Sequence, residues 1–218
     1  MSSHHIIRDN QEPALFILDT NEVDWDILSD LLSWSPTVIV DESIVDEVAS
    51  WGIKIDVVLV SENNYYDVKT GVGAFMLLQY VEKRSEDILN AGFEYLVSAN
   101  HKAVNIISGF NSNMMNNNPY YESLDLVIYS SEQRYVLTKR STFSKWVLKG
   151  EEFEIFSPIK CTDNLVPLTE SEESKLQAVH EGQISIEFQS EENSTFWIGE
   201  RLMTERSDLA DISFLHPY

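Results

Sequence analysis

The stretch that decides the fold is WSPTVIVDESIVDEVASWGIKIDVVLVSENN, residues 34–64. Residues 37–40 form a short β-branched run, which predicts a buried strand. In residues 43–51 the apolar side chains recur at helical spacing, and Gly52 supplies a stop for that helix. Residues 55–60 predict a second buried strand. Two strands joined by one helix predict a parallel pair in an open α/β sheet.

Polar residues follow both of these predicted strands. Ligands of open α/β sheets bind beyond the carboxyl ends of the strands, so these residues mark the expected binding edge. The polar residues are Asp41 and Glu42 after the first strand, and Ser61, Glu62, Asn63 and Asn64 after the second.

The flanking segments repeat the alternation of strand and helix. Residues 14–18 predict a short apolar strand, residues 23–32 an amphipathic helix, and residues 103–107 another buried strand. Ser85 is expected to be the N-cap of a further helix, with Asp87 as an acid in its first turn. This order predicts a largely parallel sheet with helices on both faces.

Two stretches of the first half are less regular. Residues 75–81 fit either a buried helical turn or a strand, and the glycine pair Gly71 and Gly73 before them favours a loop followed by a strand. Residues 108–121 are polar and rich in asparagine, which predicts a loop.

From residue 124 onward short strand-like runs are separated by turns, a pattern typical of an antiparallel sandwich. The runs are DLVIYS, QRYVLTK, KWVLKG, EFEIFS, QISIEFQS and STFWIGE. We therefore predict an α/β fold whose open, mostly parallel sheet has flanking helices and is followed by a small antiparallel β-sandwich. The domain boundary is placed near residue 131, which gives an α/β domain over 1–131 and a β-sandwich domain over 132–218.

Charge and composition limit the classes of molecule that this protein is expected to bind. The 36 acidic and 15 basic residues give a net charge of -21, which would repel nucleic acid and otherwise indicates a soluble acidic surface. Cys161 is the one cysteine, so no internal disulfide forms, which fits the reducing cytoplasm. No apolar run approaches the roughly 20 residues of a membrane span, and the first residues lack the pattern of a secretory signal. We expect a cytoplasmic protein without nucleic-acid or membrane partners.

The order of the parts resembles thiamine pyrophosphokinase over nearly the whole chain. The stretches that carry the resemblance are VIVDES at 38–43, WGIKIDVVLV at 51–60, the helix with Asp87, AVNIISG at 103–109 and FSKW at 143–146. The resemblance implies transfer of a diphosphate from ATP to the hydroxyl of thiamine with Mg2+, in a homodimer. Such a reaction needs carboxylates that hold the metal and donors that hold the phosphates.

The residues expected to do this chemistry depart from the family pattern. Where the family has approximately Ala-Asp-Arg-Gly, this chain keeps Asp41 but has Glu42 in place of the arginine. Both metal-binding aspartates of the next signature are missing from residues 60–64, and Glu62 there corresponds to a phenylalanine. The third signature, Lys-Thr-Asp, corresponds to Ser85, Glu86 and Asp87, so its one aspartate is kept as Asp87.

The fourth signature, Thr-Gly-Gly-Arg, is replaced by Ser108, Gly109, Phe110 and Asn111. No lysine or arginine occurs between Lys102 and Arg134, so this segment offers no cation to a triphosphate.

The resemblance assigns catalytic and metal-binding roles to Asp41 and Asp87. It also implies ligand-binding roles for Ser61, Glu62, Asn63, Asn64, Ser108, Gly109, Asn111, Ser185 and Trp197. The alternatives are structural: Asp41 as a helix N-cap, Asp87 as a first-turn acid that is favourable to the helix dipole, and Trp197 as a core or interface residue.

Two functions remain open from the sequence. The first is a thiamine pyrophosphokinase-like protein with a degenerate active site and weak or no activity, with Mg2+ and ATP as cofactors if it is active. The second is a non-catalytic relative that binds thiamine or another small polar ligand, or that acts in protein interactions. Glycine-rich phosphate loops, zinc-spaced ligands and serine elbows are not found in the sequence. His101, His180 and His216 are expected to be surface or packed residues.

Overall fold

The computed structural model describes residues 12–61, 79–83, 87–115, 118–157, 159–168, 174–189 and 195–202. Its helices are α1 (Trp25–Ser33), α2 (Val45–Ser50), α3 (Ile88–Ser98) and α4 (Ser112–Met115), with a 3-10 helix at Thr20–Glu22. The strands of the first half are β1 (Ala14–Ile17), β2 (Val38–Asp41), β3 (Val57–Val60), β4 (Gln79–Glu82), β5 (Ala103–Ile107) and β6 (Asp125–Tyr129). Those of the second half are β7 (Gln133–Thr138), β8 (Thr142–Val147), β9 (Glu152–Ile155), β10 (Ile159–Asp163), β11 (Leu165–Pro167), β12 (Lys175–Ala178), β13 (Gly182–Phe188) and β14 (Phe196–Arg201).

The first six strands form a parallel sheet in the order β4-β3-β2-β1-β5-β6. The predicted strand, helix and strand unit is present, because β2 and β3 pair in parallel with Ile39 opposite Val57 and Asp41 opposite Leu59. From β1 the chain adds β2, β3 and β4 on one side and then returns to add β5 and β6 on the other. The strand order therefore reverses between β1 and β5, and both of these strands lie in the interior of the sheet.

Helices cover both faces of this parallel region, as the sequence predicted. One face packs its buried side chains against α1 and α2, through Leu28, Val45 and Val48. The other face packs against α3, through Ala91, Phe93 and Leu96. On this second face the backbone of α3 comes very close to β1, because a Cβ atom at Gly92 would lie 2.1 Å from Cε1 of Phe16.

The second half continues the same sheet and adds a second one. Its strands extend the eleven-stranded sheet in the order β7-β14-β9-β12-β11, and β10-β13-β8 form a separate three-stranded sheet. The two sheets enclose a shared core that includes Val147, Phe153, Ile184, Ile186 and Ile198. The predicted fold class, a mostly parallel sheet with flanking helices followed by an antiparallel sandwich, is confirmed.

The prediction was wrong on several details of the sheet. The run DLVIYS, grouped with the antiparallel strands, forms β6, which pairs antiparallel with β7 as predicted but in parallel with β5 on its other side. Three short strands, β10, β11 and β12, were not predicted. Backbone pairing between β6 and β7 continues across residue 131, with Ile128 opposite Tyr135. The domain boundary placed there stays a prediction.

Local details of the helices and of β4 also differ. Asp87, rather than Ser85, is the N-cap of α3, because its carboxylate accepts hydrogen bonds from the backbone N–H groups of Leu89 and Asn90. Ser85 itself lies outside the described residues. The strand alternative for residues 75–81 holds where the chain is described, at β4. Within the described ranges, no helix is long and apolar enough to cross a bilayer.

The close approach of α3 to β1 predicts that Gly92→Ala destabilises the protein. The added methyl group would overlap the fully buried ring of Phe16, and overpacking of this kind costs about 1–3 kcal/mol. Urea denaturation should show this loss in the free energy of unfolding. Ser98→Ala, on the exposed side of the same helix, is the matched control and should change it by less than about 0.5 kcal/mol.

A double variant tests the cause. Phe16→Leu removes the atoms that the methyl group meets, so Gly92→Ala should cost less in the Phe16→Leu background than in the natural chain. Equal costs in both backgrounds would mean that the clash with Phe16 is not the reason for the glycine.

Candidate functional site

The carboxyl ends of the parallel strands lie along one edge of the sheet, which is the expected binding edge. At the reversal of strand order, the backbone N–H groups of Leu18 and Asp19 both donate to the carbonyl of Ile107, at 2.9 and 3.2 Å. Beside it, β2, β3 and β4 end in Asp41, Val60 and Glu82. Open α/β sheets bind ligands next to such a reversal.

Three charged side chains converge beyond the ends of β2 and β4. The ammonium group of Lys83 lies 2.7 Å from a carboxylate oxygen of Asp41 and 2.9 Å from one of Glu42. The side chains of Lys83, Asp41 and Glu42 are only 16%, 9% and 11% exposed, so this ion-pair triad is largely removed from water. Because β3 lies between β2 and β4, the side chain of Lys83 crosses the end of β3 to reach both acids.

Local hydrogen bonds hold both carboxylates in this arrangement. Asp41 accepts with its Oδ1 from the backbone N–H and the hydroxyl of Ser43, at 2.9 and 2.6 Å, and with its Oδ2 from Lys83. Glu42 accepts with its Oε1 from the backbone N–H of Ser61, at 3.0 Å. The triad therefore ties together the ends of three neighbouring strands.

Burial and pairing act against each other on the titration of the triad. Burial by itself would raise the pKa of Glu42, but the hydrogen bonds from Lys83 and Ser61 outweigh it, so the pKa of Glu42 is lowered. Burial would likewise lower the pKa of Lys83, but the hydrogen bonds and charges of Asp41 and Glu42 outweigh it and raise that pKa. Both side chains are therefore charged at neutral pH.

Asp87 takes part in a different network, at the start of α3. Besides capping the helix, it accepts with its Oδ2 from the side-chain amide of Asn90, whose own oxygen accepts from Asn118 at 2.7 Å. Burial, followed by the charge of Asp87, raises the pKa of Tyr121 to about 12. Among the residues that the structure describes, no three histidine, cysteine, aspartate or glutamate side chains are grouped in a way that could hold a metal ion.

The other residues singled out from the sequence lie in three places. Ser108 is buried at the end of β5, Gly109 follows it beside Glu22, and Asn111 accepts from the backbone N–H of Asn113. Ser185 lies on β13 and accepts a long hydrogen bond of 3.4 Å from the hydroxyl of Ser144. Glu62, Asn63 and Asn64 lie outside the described residues. The roles assigned to all of these residues stay predictions.

Trp197 lies in the hydrophobic core. Its indole N–H donates to the carbonyl of Met114 at 3.1 Å, and its ring contacts Phe110 and Tyr121 edge to face. The hydroxyl of Tyr121 donates to the same carbonyl at 2.7 Å. These bonds fix the segment around α4 against β14. The placement agrees with the core alternative that the sequence left open for this residue.

Sequence reasoning missed Lys83. Its signal is its position immediately after a strand of the parallel sheet, at the same edge as Asp41 and Ser61. That signal was hidden because residues 75–81 fit a helix as well as a strand. Neither described histidine lies at this edge: His101 precedes β5 and is buried, which lowers its pKa, and His180 is exposed in the second half.

Comparison with known proteins gives a result at the level of the fold. The structure matches thiamine pyrophosphokinase from Bacillus subtilis with a TM-score of 0.58 and 10% sequence identity, over 88% of this chain and 100% of that one. Thiamin pyrophosphokinase from Candida albicans matches with a TM-score of 0.59 and 9% identity, over 88% and 90% of the two chains. The chain has the thiamine pyrophosphokinase fold.

The yeast thiamin pyrophosphokinase matches with a TM-score of 0.55 and 8% identity, over 94% of this chain and 90% of that one. No protein-family model and no curated protein sequence matches this chain. The similarity to these enzymes therefore rests on the arrangement of the strands and helices, and it leaves the chemistry of the strand ends to be judged from the residues themselves.

The ion-pair triad predicts a large effect for Lys83→Met. Removing the cation leaves two largely buried carboxylates side by side without a neutralising charge, which should lower the free energy of unfolding by about 3 kcal/mol at pH 7. Lys102→Met, at an exposed lysine, is the control and should change it by less than about 0.5 kcal/mol.

The loss should also depend on pH. Because the pKa of Glu42 is lowered, its contribution is present above the ordinary value of 4.5 and is lost as the pH falls through the folded-state pKa. Because the pKa of Lys83 is raised, its contribution is full below 10.5 and is lost as the pH rises through the folded-state pKa. Denaturation from acid to alkaline pH should show the largest difference between variant and natural chain in the neutral range. If the difference in the free energy of unfolding is the same at acid, neutral and alkaline pH, the ion-pair triad is not its cause.

Proposed function

We propose that this chain is a thiamine pyrophosphokinase-like protein that transfers diphosphate weakly or not at all. The observation that supports this most directly is the pairing of Asp41 with Lys83 at 2.7 Å. Asp41 is the one acid kept from the first metal-binding signature of the family, and here its two oxygens are engaged by Ser43 and by a lysine of the same chain.

The described residues of this edge do not fit a magnesium site. Mg2+ takes six oxygen ligands at about 2.0–2.1 Å in a near-octahedral arrangement, usually one or two carboxylates together with waters and substrate phosphates. In the triad, a metal ion at Asp41 would lie beside the ammonium of Lys83, and a repulsion of this kind is strong where water is largely excluded. We therefore propose no transfer step through the metal.

The charge balance of the edge is also unfavourable to a triphosphate. Lys83 is shared by two carboxylates, so the triad carries a net negative charge. In the sequence, the residues between Lys102 and Arg134 include no further lysine or arginine. Phosphoryl transfer depends on positive charge that is placed in advance against the phosphate oxygens. The proposal also carries over a homodimer from the family resemblance and a cytoplasmic location from the cysteine usage.

An activity assay tests this proposal. With Mg2+, ATP and thiamine, the rate of formation of AMP and thiamine diphosphate should be at least about a thousandfold below that of the Bacillus subtilis enzyme. Losing about 4 kcal/mol of charge stabilisation in the transition state has this effect. The Bacillus subtilis enzyme, assayed in parallel, is the positive control. A rate within tenfold of that control would refute the proposal.

A second candidate function is the binding of a small polar ligand without catalysis. A cleft of about 230 Å³ lies between β4 and α3, next to the strand end that carries Lys83. It is lined by Val81, Glu82, Ala91, Glu94, Tyr95 and Ser98. Acidic and hydroxyl groups suit a neutral or cationic ligand, such as one with an amine or a thiazolium ring, better than a polyphosphate.

Thermal unfolding with added ligands separates the two candidates. Thiamine should raise the melting temperature if the cleft binds it, since a ligand at a hundred times its Kd stabilises by about 2.7 kcal/mol. ATP with Mg2+ should leave the temperature unchanged. Glu82→Gln, at the cleft, should reduce the shift with thiamine, and Glu22→Gln, away from it, should not. A shift with ATP and none with thiamine would contradict both candidates.

A further inference from the structure

Positive charge is concentrated in one part of this acidic chain. Residues 133–150 contain five of the 15 basic residues and no aspartate or glutamate, although the chain has 36 acids. In the structure this stretch comprises β7, β8 and the turns that follow them. Residues 133–150, called the basic segment here, are therefore a basic region on a protein whose remaining residues are strongly acidic. Its two strands lie in different sheets, β7 in the eleven-stranded one and β8 in the three-stranded one.

Two of its five cations are available to a partner. Arg134, Lys139 and Lys145 form ion pairs with Glu200, Asp125 and Glu151, respectively. Arg140 and Lys149 are exposed, and neither takes part in an ion pair with the described residues. These two side chains flank β8, one before its first residue and one beyond its last.

β8 also has an open backbone edge within the described part of the chain. It is the outer strand of the β10-β13-β8 sheet and pairs with β13, with Ser144 opposite Ser185. On its other side, alternate N–H and C=O groups point away from the sheet, and such an edge is a template for a further strand.

Apolar surface lies along the same strand. Trp146 is 65% exposed, and Leu148 two residues later is also exposed. Exposed tryptophan is frequent at binding sites, because it contributes a large apolar contact area and loses little conformational entropy on binding. Thr142 and Ser144 precede Trp146 on the exposed side of β8.

We propose that β8 binds an acidic, extended segment of another protein by strand addition. The backbone of the segment pairs with the open edge of β8, an apolar side chain contacts Trp146, and acids at its two ends pair with Arg140 and Lys149. Strand addition is an established mode of peptide recognition, in which main-chain hydrogen bonds give affinity and alternate side chains give specificity. β8 has six residues, Thr142–Val147, which correspond to roughly 20 Å of extended chain. Arg140 and Lys149 lie two residues beyond its ends, so a segment of about ten residues pairs six with β8 and places two at each end near these cations.

The charges disfavour the two other occupants of this edge. If two copies of the chain paired through β8 in full antiparallel register, Arg140 of one copy would lie opposite Lys149 of the other, and like charges in that position destabilise a sheet. Nucleic acid binds through many phosphate contacts to cations, and the basic segment offers only two exposed cations that are not in ion pairs with described residues. A peptide also gains main-chain hydrogen bonds from the open edge of β8, and nucleic acid has no peptide backbone to form them.

Peptide binding to the full chain tests the proposal. The probe is a fluorescein-labelled peptide, EEVTVTVTEE, and its charge-reversed counterpart is KKVTVTVTKK. Fluorescence anisotropy should give a Kd at least tenfold lower for the acidic peptide. The double variant Arg140→Glu with Lys149→Glu should weaken binding of the acidic peptide at least tenfold, and Trp146→Ala should weaken it about fivefold, as expected for a lost aromatic contact.

The matched control has the same change in net charge as the Arg140→Glu with Lys149→Glu variant, but the substituted residues lie outside residues 133–150. Lys54→Glu with Lys102→Glu alters two exposed lysines outside the basic segment and should leave the Kd within twofold. Circular dichroism verifies that each variant is folded. If the glutamate double variant does not fold, Arg140→Gln with Lys149→Gln takes its place, with a weakening of at least threefold.

Four results would overturn the proposal. The first is a Kd for the acidic peptide that is the same in the Arg140→Glu with Lys149→Glu variant and in the natural chain. The second is no binding of that peptide up to 1 mM, a weak-binding limit. The third is tighter binding of a ten-nucleotide single-stranded DNA, which would identify a nucleic-acid site. The fourth is sedimentation that shows a dimer which the double variant dissociates, since a second copy would then occupy the edge.

Discussion

Strands β1, β2 and β3 have every residue buried, and this sets the requirements for the rest of the molecule. A strand buried on both faces needs hydrogen-bonding neighbours on both sides and apolar layers above and below. The parallel neighbours β4, β5 and β6 and the helices α1, α2 and α3 meet these needs. The fit is tight enough that the helix crossing β1 has a glycine where it meets Phe16.

The same packing explains why the two acids at the binding edge are paired with a lysine. At the ends of such strands a carboxylate loses much of its contact with water, and an isolated charge there is costly. A metal ion is one way to compensate it, and a lysine from a neighbouring strand is another. In this chain Lys83 supplies the compensation for Asp41 and Glu42 together. The ion-pair triad thereby connects the ends of three neighbouring strands.

Sequence reasoning recovered the central part of the fold because buried parallel strands are apolar throughout and their signal is local. It recovered less where structure depends on residues far apart in the chain. The pairing of Lys83 with Asp41 joins residues separated by 42 positions, and the sequence around neither residue predicts it. Likewise, β6 has the alternating burial of an antiparallel strand and pairs antiparallel with β7, and its parallel pairing with β5 cannot be read from its own residues. Asp87 was assigned two residues too deep in its helix, because Ser85 and Asp87 are both good N-cap residues and the choice depends on the three-dimensional start of α3.

The order of strands in the second half has a consequence for how the protein is made. β14, the last described strand, lies between β7 and β9, and it contributes Phe196 and Ile198 to the core of the sandwich. While a ribosome is still translating the chain, β7 and β9 therefore wait with unpaired edges until residues 196–201 have emerged. The nascent polypeptide therefore exposes unpaired strand edges from the synthesis of β7, which ends at Thr138, until that of β14, which ends at Arg201. It would benefit from a chaperone during that interval.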